Sequence, residues 1–282
     1  MKKRNDYKIL ILLFVIALAS IIIVLFHRAN IEKNPSPTTA VVNDGSNLTT
    51  ITVDPNIEVS RLTPEDFIMD DNGNPKYIGS DYIAHNGIDV ADYQGDIDWQ
   101  AVKDSGIEYA IIRCGYRGYT ESGLYEDGHF LANIKGATDA GLQLGVYFFS
   151  QAIDQQEAIE EANFVLERIR DYNIKLVVYD WEKIDYDTAR TDNMEIEAIS
   201  SCANAFCRTV ENAGYTACVY FNVNTGYNLY NLGELADYEF WLSDPSAFPE
   251  FYYHVFMWQY SFEGSIDGIE GSVDLDMIFT KK

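Results

Sequence analysis

Two acidic residues, Asp180 and Glu182, close the apolar segment KLVVYDWE. A spacing of two places both side chains on the same face of a β-strand. Asp89 lies in a second apolar segment, GIDVAD, and a third, SVDLDMI, contains Asp274 and Asp276, again two positions apart. Carboxylates that meet at an apolar edge repel one another, and one of them usually keeps its proton near neutral pH. A proton-holding acid beside an ionised one is the pair that glycosidic bond cleavage needs.

The simpler interpretation is that these acids are solvated at exposed strand ends. It is sufficient for a single aspartate, but less so for several carboxylates from three apolar segments with few lysines or arginines nearby. Because acids with perturbed pKa values concentrate at functional sites, the pattern favours catalysis. The candidate catalytic residues are Glu182, Asp180, Asp89 and Asp274.

Aromatic residues lie at or near the ends of the same segments. For any single one of them, packing in the core or against a helix is the more common role. Together they fit a sugar groove, because aromatic faces match the apolar faces of pyranose rings. The candidate substrate-binding residues are Tyr147, Trp181, Tyr220, Trp241 and Trp258.

Other kinds of site find no support in the sequence. The four histidines show no HExxH pairing, so no metal site is predicted. A G-x-S-x-G turn for a serine nucleophile is missing, and no phosphate-binding GxGxxG or GxxxxGK[ST] follows the first predicted strand. The four cysteines fit neither a zinc finger nor a redox CxxC, and we interpret them as small apolar residues. No cofactor is expected.

From about Asn86 onward, short apolar segments alternate with longer amphipathic ones. Strands are predicted at 87–92, 108–114, 142–150, 175–182, 216–222, 239–244, 254–261 and 272–278, and helices at 127–140, 154–171, 194–213 and 223–232. The apolar segments resemble parallel strands covered by helices on both faces. The pattern predicts an α/β fold, an irregular (β/α) TIM-like barrel with abbreviated C-terminal units, and an open doubly wound sheet is the alternative. In a parallel barrel, the active site lies at the C-terminal ends of the strands.

Charge is distributed unevenly along the chain. Its 282 residues carry a net charge of −24, and so acidic a protein is repelled by nucleic-acid backbones. Residues 1–28, in contrast, contain five basic residues and one acidic residue. Within them, the 18 residues from Ile9 to Phe26 are free of charges, proline and glycine. At about 1.5 Å per residue, a helix of this length just spans a hydrocarbon core of about 30 Å.

We interpret residues 9–26 as a retained transmembrane anchor. The alternative is a cleaved signal peptide, which would make the protein secreted, but the segment is longer than usual for one and no A-x-A site follows it. The basic residues within 1–8 predict a cytoplasmic tail, so the rest of the chain is expected outside the membrane.

The segment after the anchor differs in composition from the rest. Residues 27–60 are rich in asparagine, threonine, proline and serine, which predicts an extended spacer. Residues 61–85 contain the turn-forming sequence DNGNP and predict a short hairpin or lead-in. We therefore expect an extracellular linker at 27–85 and a catalytic barrel at 86–282.

An ordered set of motifs covers about residues 86–280: GIDVADYQGDIDW, EYAIIRCGY, AGLQLGVYFFS, VVYDWE, CVYFN, FWLSD, and WQYS followed by GIEGSVD. Together they resemble the glycoside hydrolase family 25 lysozymes, the Chalaropsis-type N-acetylmuramidases. The resemblance implies an irregular (β/α) barrel that cleaves the β-1,4 bond between N-acetylmuramic acid and N-acetylglucosamine in peptidoglycan. It also implies that the configuration is retained and that no cofactor is needed.

The resemblance assigns roles by position. It makes Glu182 the acid/base and Asp180 the aspartate of the family's D-x-E motif. Asp89 and Asp274 correspond to the family's active-site aspartates on the first and last strands, and Tyr147 to the aromatic residue of its G-x-Y-x-F strand.

Three positions depart from the family pattern. Ala91 stands where D-V-S is usual, Trp181 is the often aliphatic middle residue of D-x-E, and Asp276 replaces the asparagine of V-D-x-N. None of these changes removes a carboxylate. Asp276 adds negative charge, and we expect it to be able to substitute in part for Asp274.

These observations predict an exported, membrane-anchored muramidase that acts on peptidoglycan glycan strands. Two alternatives stay open, a catalytically idle wall-binding module and a hydrolase of another N-acetylhexosamine polymer such as chitin. A covalent intermediate and one formed by the substrate's own acetamido group are both compatible with the sequence. Topology alone suggests wall remodelling, for example within a secretion or conjugation machine that crosses the wall.

Overall fold

The computed structural model describes residues 39–282. The predicted anchor at 9–26 lies outside the described residues. Among the helices of residues 39–282, none has the length and apolar character needed to cross a membrane.

Two short hairpins precede the barrel. They consist of β1 (Thr39–Asn43) with β2 (Leu48–Thr52) and β3 (Phe67–Met69) with β4 (Pro75–Tyr77), both antiparallel. The second hairpin confirms the prediction for 61–85. Its Phe67 ring packs edge-on against Trp258, with 5.4 Å between the ring centroids, so this lead-in is attached to the outside of the barrel.

Residues 39–60 differ from the extended spacer that was expected there. After the β1–β2 hairpin, Val53 and Ile57 are buried in the main core, and Val59 forms a β-bridge with Tyr253. We call residues 39–60 the N-terminal arm. The physical reason is visible in the sequence, where β-branched residues flank a turn at Asp44 whose carboxylate accepts hydrogen bonds from two following backbone N–H groups.

Eight strands close the barrel. The strands of this region are β5 (Tyr82–Val90), β6 (Tyr109–Arg117), β7 (Leu124–Glu126), β8 (Gln143–Ser150), β9 (Ile174–Trp181), β10 (Thr216–Asn222), β11 (Glu239–Ser243), β12 (Met257–Gly264) and β13 (Val273–Lys281). β5 pairs with β6 on one side and with β13 on the other, which closes the ring, and the short β7 pairs with β6 outside it. The closed ring confirms the predicted TIM-like barrel over the open sheet.

Helices cover the outside of the barrel. They are α1 (Trp99–Asp104), α2 (Phe130–Asp139), α3 (Gln155–Ile169), α4 (Ile196–Asn212) and α5 (Val223–Asn228). The four predicted helices are present, and α1 was missed because it is only six residues long. Its N-terminus is capped by the Asp98 carboxylate, which accepts hydrogen bonds from two backbone N–H groups at 3.2 Å. The described chain has no helix between β11 and β12, so the final units are abbreviated as predicted.

The direction of the last strand corrects the sequence prediction. β13 runs antiparallel to both β12 and β5, whereas the other neighbouring strands of the ring are parallel. Asp274 therefore lies at the beginning of its strand and not at the end. It still reaches the mouth formed by the C-terminal ends of the parallel strands, where it is paired in register with Asp89.

Side chains alternate between the lumen of the barrel and the helices. Along β9, Leu176 and Val178 belong to the lumen cluster, while Val177, Tyr179 and Trp181 belong to the core beneath the helices. The lumen cluster comprises Ile111, Leu176, Val178, Cys218, Tyr220, Trp241, Met257 and Ile278. All four cysteines are buried and free, which agrees with their interpretation as small apolar residues.

Candidate active site

A cleft of about 790 Å³ opens at the mouth of the barrel. It is lined by the C-terminal ends of β5, β6, β8 and β9, by the segments that follow them, and by the beginning of β13. The structure brings five predicted site residues together in this cleft: Asp89, Tyr147, Asp180, Glu182 and Asp274.

Asp180 and Glu182 extend the lumen face of β9, as their spacing predicted. Asp180 is 5% exposed, and its Oδ1 atom has no hydrogen-bond partner among the described residues. Burial, followed by the charges of Glu182 and Asp89, raises the pKa of Asp180 well above its usual range, and Arg113 opposes this in part. A buried carboxyl oxygen without a partner is costly, so this atom is available to hydrogen-bond with a ligand in the cleft.

Glu182 lies one residue beyond β9 and is solvent-accessible at the mouth of the cleft. The surrounding walls nevertheless remove much of its hydration, which raises its pKa, and the Asp274 charge adds to this shift. A glutamate whose pKa is raised in this way keeps its proton closer to neutral pH and can act as a general acid.

Gln259 links the other two carboxylates. Its Nε2 atom donates hydrogen bonds to Asp89 Oδ2 at 2.8 Å and to Asp274 Oδ2 at 3.2 Å, while its Oε1 atom accepts one from the Tyr220 hydroxyl at 2.9 Å. Burial raises the pKa of Asp89 to about 8, with the Asp274 charge as the second cause. Burial also raises the pKa of Asp274 to about 6. At neutral pH this pair therefore keeps a proton on Asp89, while Asp274 is mostly ionised.

Asp276 lies deeper in the barrel than Asp274. It is fully buried, it pairs in register with Gly87, and its Oδ1 atom accepts a hydrogen bond from Trp241 Nε1 at 2.9 Å. Burial and the charges of Asp89 and Asp274 raise its pKa well above the usual range. Its side chain lies below the cleft and does not line it, so this geometry does not support the expectation that Asp276 can substitute for Asp274.

These shifts make stability dependent on pH, and Asp89→Asn tests this. Between about pH 4, where an unfolded aspartate loses its proton, and about pH 8, the folded protein holds a proton on Asp89 that the unfolded chain has released. Stability therefore falls as the pH rises through this interval. We expect Asp89→Asn to unfold at a higher temperature than wild type at pH 8.5 and at a similar temperature at pH 5, measured by calorimetry.

The matched control is Asp71→Asn, at an exposed turn that does not line the cleft, which we expect to follow wild type at both pH values. A lower unfolding temperature of Asp89→Asn at pH 8.5 would show that the loss of the charged hydrogen bond outweighs the relief of burial.

The predicted aromatic residues divide between the two sides of the barrel wall. Tyr147 lines the cleft, while Tyr220 and Trp241 lie in the lumen below it, with 4.8 Å between their ring centroids. Trp181 and Trp258 face the outside and are buried in the main core. The strand alternation turns both rings away from the mouth, so the structure does not bring these two predicted sugar-binding residues into the cleft.

Sequence reasoning missed a buried ionic network at one end of the cleft. The Arg113 guanidinium contacts the carboxylates of Asp92 and Asp127, the latter through Nε at 2.7 Å, and lies 4.8 Å from the centroid of the Tyr93 ring. Arg113 follows the lumen residue Ile111 by two positions, so an arginine on the inner face of an apolar strand was the signal available.

Exposed tyrosines at the rim of the cleft were also missed. Tyr93 is 82% and Tyr186 is 79% exposed, and Tyr186 packs edge-on against Tyr119 with 5.9 Å between the ring centroids. These rings come from the segments after β5, β6 and β9, which are loops with no periodic pattern. The described residues contain no group of three or more histidines, cysteines or acids arranged to hold a metal ion.

The family model for glycosyl hydrolases family 25 matches residues 88–269. An autolytic lysozyme of Clostridium acetobutylicum is 31% identical over 191 residues, which cover 67% of this chain and 54% of that protein. Lysozyme M1 of Streptomyces globisporus is 29% identical over 214 residues, covering 69% of this chain and 68% of that protein. The chain thus matches only about half the length of the clostridial relative.

Solved structures show the same fold. The bacterial lysozyme of Streptomyces coelicolor is 25% identical with a TM-score of 0.53, over 68% of this chain and 90% of that one. The modular autolysin LytC of Streptococcus pneumoniae, solved with a synthetic peptidoglycan ligand, is 21% identical with a TM-score of 0.60, over 86% of this chain and 57% of that one.

Proposed function

The chain belongs to glycosyl hydrolase family 25, and from this premise we propose that it is a muramidase. It hydrolyses the β-1,4 bond between N-acetylmuramic acid and N-acetylglucosamine in peptidoglycan glycan strands. The observation that carries the proposal is the convergence of Asp89, Asp180, Glu182 and Asp274 in one cleft at the barrel mouth. The lysozymes among its relatives support the choice of substrate.

Glu182 is the general acid in this proposal. Its raised pKa keeps a proton available for the leaving glycosidic oxygen, and its accessible position lets that oxygen approach. After the leaving group departs, the resulting carboxylate can take a proton from the attacking water. We propose that the configuration at the anomeric carbon is retained, as the family membership suggests.

Asp180 is better placed to hold the acetamido group of the substrate than to attack the sugar. Its Oδ1 atom is buried and has no partner among the described residues, so an N–H group of the ligand would satisfy it. Asp89 and Asp274 share Gln259 and so form a rigid pair that can bind sugar hydroxyls and position water.

A digest of peptidoglycan tests the proposal. A muramidase releases N-acetylmuramic acid at the new reducing ends, which borohydride reduction and mass spectrometry identify. N-acetylglucosamine at the reducing ends, or cleavage of chitin oligomers in preference to peptidoglycan, would identify a different hydrolase. Binding to peptidoglycan without release of reducing ends would indicate an idle wall-binding module.

We further propose that residues 9–26 anchor the protein in the cell membrane with the barrel outside. We expect the full-length protein to stay with membranes after high-salt and carbonate washing, and its barrel to be accessible to protease added from outside. The matched variant lacks residues 1–28 and should be recovered in the soluble fraction. A soluble wild-type form that begins near residue 28 would identify a cleaved signal peptide instead. A role within a secretion or conjugation machine that crosses the wall fits this topology.

A further inference from the structure

Glu182 is attached to the rest of the barrel by a side-chain hydrogen bond and not by strand pairing. The pairing of β9 with β8 ends at Trp181, and its pairing with β10 ends at Asp180, so Glu182 lies one residue beyond the sheet. Its backbone carbonyl is held by a side chain, since Gln151 Nε2 donates a hydrogen bond to Glu182 O at 2.9 Å. The position of the acid therefore depends on Gln151.

Gln151 is itself fixed. Its side chain is completely buried, and its Oε1 atom accepts a hydrogen bond from the Thr191 hydroxyl at 2.7 Å. This bond sets the orientation of the amide, because Oε1 must face the hydroxyl donor and Nε2 then faces the Glu182 carbonyl. Gln151 does not line the cleft, so it cannot touch a substrate there directly.

An ion pair holds the loop that carries Thr191. Arg190 forms a bidentate pair with Glu157 of α3, with both N–O distances at 2.7 Å, and donates to the Gln151 backbone carbonyl at 3.2 Å. The Arg190 backbone N–H also donates to the carbonyl of Tyr119, on the segment after β6, at 2.8 Å. The loop between β9 and α4 is thus bound to α3, to the end of β8 and to the segment after β6.

From this geometry we propose that Gln151 is a positioning residue for the general acid, oriented by Thr191 and the Arg190–Glu157 pair. The inference rests on the proposed muramidase function, in which Glu182 donates the proton. A general acid must lie within hydrogen-bond reach of the oxygen it protonates, and a displacement of about 1 Å can cost on the order of 10²-fold in rate. A single buried amide controls this displacement here.

Gln151→Met is the direct test, because methionine has a similar volume but cannot donate to the carbonyl. We expect kcat on peptidoglycan to fall by roughly tenfold or more with little change in KM. Without this hydrogen bond, the backbone at Glu182 moves toward the solvent. The added hydration lowers the pKa of Glu182 and moves the alkaline limb of the pH–rate profile to lower pH.

Gln151→Glu tests whether a donor at this position restores the activity that Gln151→Met loses, which a purely structural role would not predict. When protonated, the new carboxyl can donate to the Glu182 carbonyl, so we expect activity closer to wild type at pH 5 than at pH 8. The charged groups around this position are paired, Glu157 with Arg190 and Glu161 with Arg117, so it is the burial of the site that favours the protonated form of the new carboxyl. Thr191→Val removes the orienting hydroxyl and should give a smaller loss of kcat in the same direction.

The outcomes separate this inference from the proposed function. A wild-type protein without muramidase activity would contradict the function itself. An active wild type with unchanged kcat and pH profile in folded Gln151→Met would overturn the positioning role alone. If Gln151→Met does not fold, Thr191→Val provides the test in its place. A folded Thr191→Val variant with the kcat of wild type would overturn the positioning role.

Discussion

Glu182→Gln is expected to lose roughly 10²-fold or more of the rate of peptidoglycan cleavage while the protein still folds. Glutamine keeps the shape of the side chain and its place at the mouth of the cleft, but it cannot transfer a proton to the leaving oxygen. Because the proton is needed mainly in the transition state, we expect kcat to fall far more than KM changes. Reducing-end release from purified peptidoglycan, measured across pH 4 to 9, reports both quantities.

The matched control for this change is Glu167→Gln, an exposed glutamate on the outer helix α3. It removes one negative charge of the same kind without touching the cleft, and it should leave the rate unchanged. We expect the fold of Glu182→Gln to be unaffected, because the hydrogen bond from Gln151 goes to the backbone carbonyl and not to the carboxyl. An active Glu182→Gln variant with a normal pH profile would place the acid elsewhere, and Asp180 would be the next residue to test.

The sequence predicted the central features of the site because they follow from local spacing. Asp180 and Glu182 lie two positions apart at the end of an apolar strand, and the lumen face of β9 indeed carries Leu176 and Val178 below them. The same alternation also predicts the orientation of Trp181, which must face the helices if its two acidic neighbours face the lumen. The prediction of Trp181 as sugar-binding neglected this consequence.

Other features depend on contacts between distant segments. The direction of β13 could not be read from its own sequence, since an apolar strand has the same pattern in either orientation. The antiparallel direction brings Asp274 beside Asp89 and leaves Asp276 buried below. In the same way, Gln151 is a single polar residue after β8. Its contacts with Glu182 and Thr191, which are distant in sequence, are visible only in the folded structure.

The N-terminal arm illustrates a different limit. Its polar composition suggested a spacer, yet β-branched residues on both sides of Asp44-Gly45 are typical of a hairpin. What decides the matter is burial of Val53 and Ile57 against the barrel, which composition does not reveal. The ionic network of Arg113 with Asp92 and Asp127 likewise joins three separate segments.

The distribution of protons in the cleft determines how the acids can work together. Burial raises the pKa of both Asp180 and Glu182, and the charge of Glu182 adds to the shift of Asp180, so the two groups titrate as a coupled pair. The reactive form needs a proton on Glu182 and a charge on Asp180. Arg113 lowers the pKa of Asp180, and an acetamido N–H donated to its unpartnered Oδ1 atom would lower it further. Substrate binding would therefore favour the arrangement that the reaction requires.

Asp180→Asn tests this arrangement and should lower kcat by roughly 10²-fold with little change in KM. Asparagine matches the protonated form of Asp180, so the substrate can still bind, but it brings no negative charge toward the positive centre that develops during cleavage. The pH–rate profile tests the role of Asp180 more specifically than the fall in kcat does. In wild type, kcat should rise as Asp180 in the substrate complex loses its proton and fall as Glu182 loses its own.

In Asp180→Asn the acidic limb should disappear, while the alkaline limb should move to lower pH because the negative neighbour of Glu182 is gone. Asp274→Asn is the comparison variant, since it also removes a charge that raises the pKa of Glu182 but leaves Asp180 in place. It should move the alkaline limb to lower pH and keep the acidic limb. Retention of the acidic limb in Asp180→Asn would show that another group, with Asp89 the first to examine, carries the charge that the reaction needs.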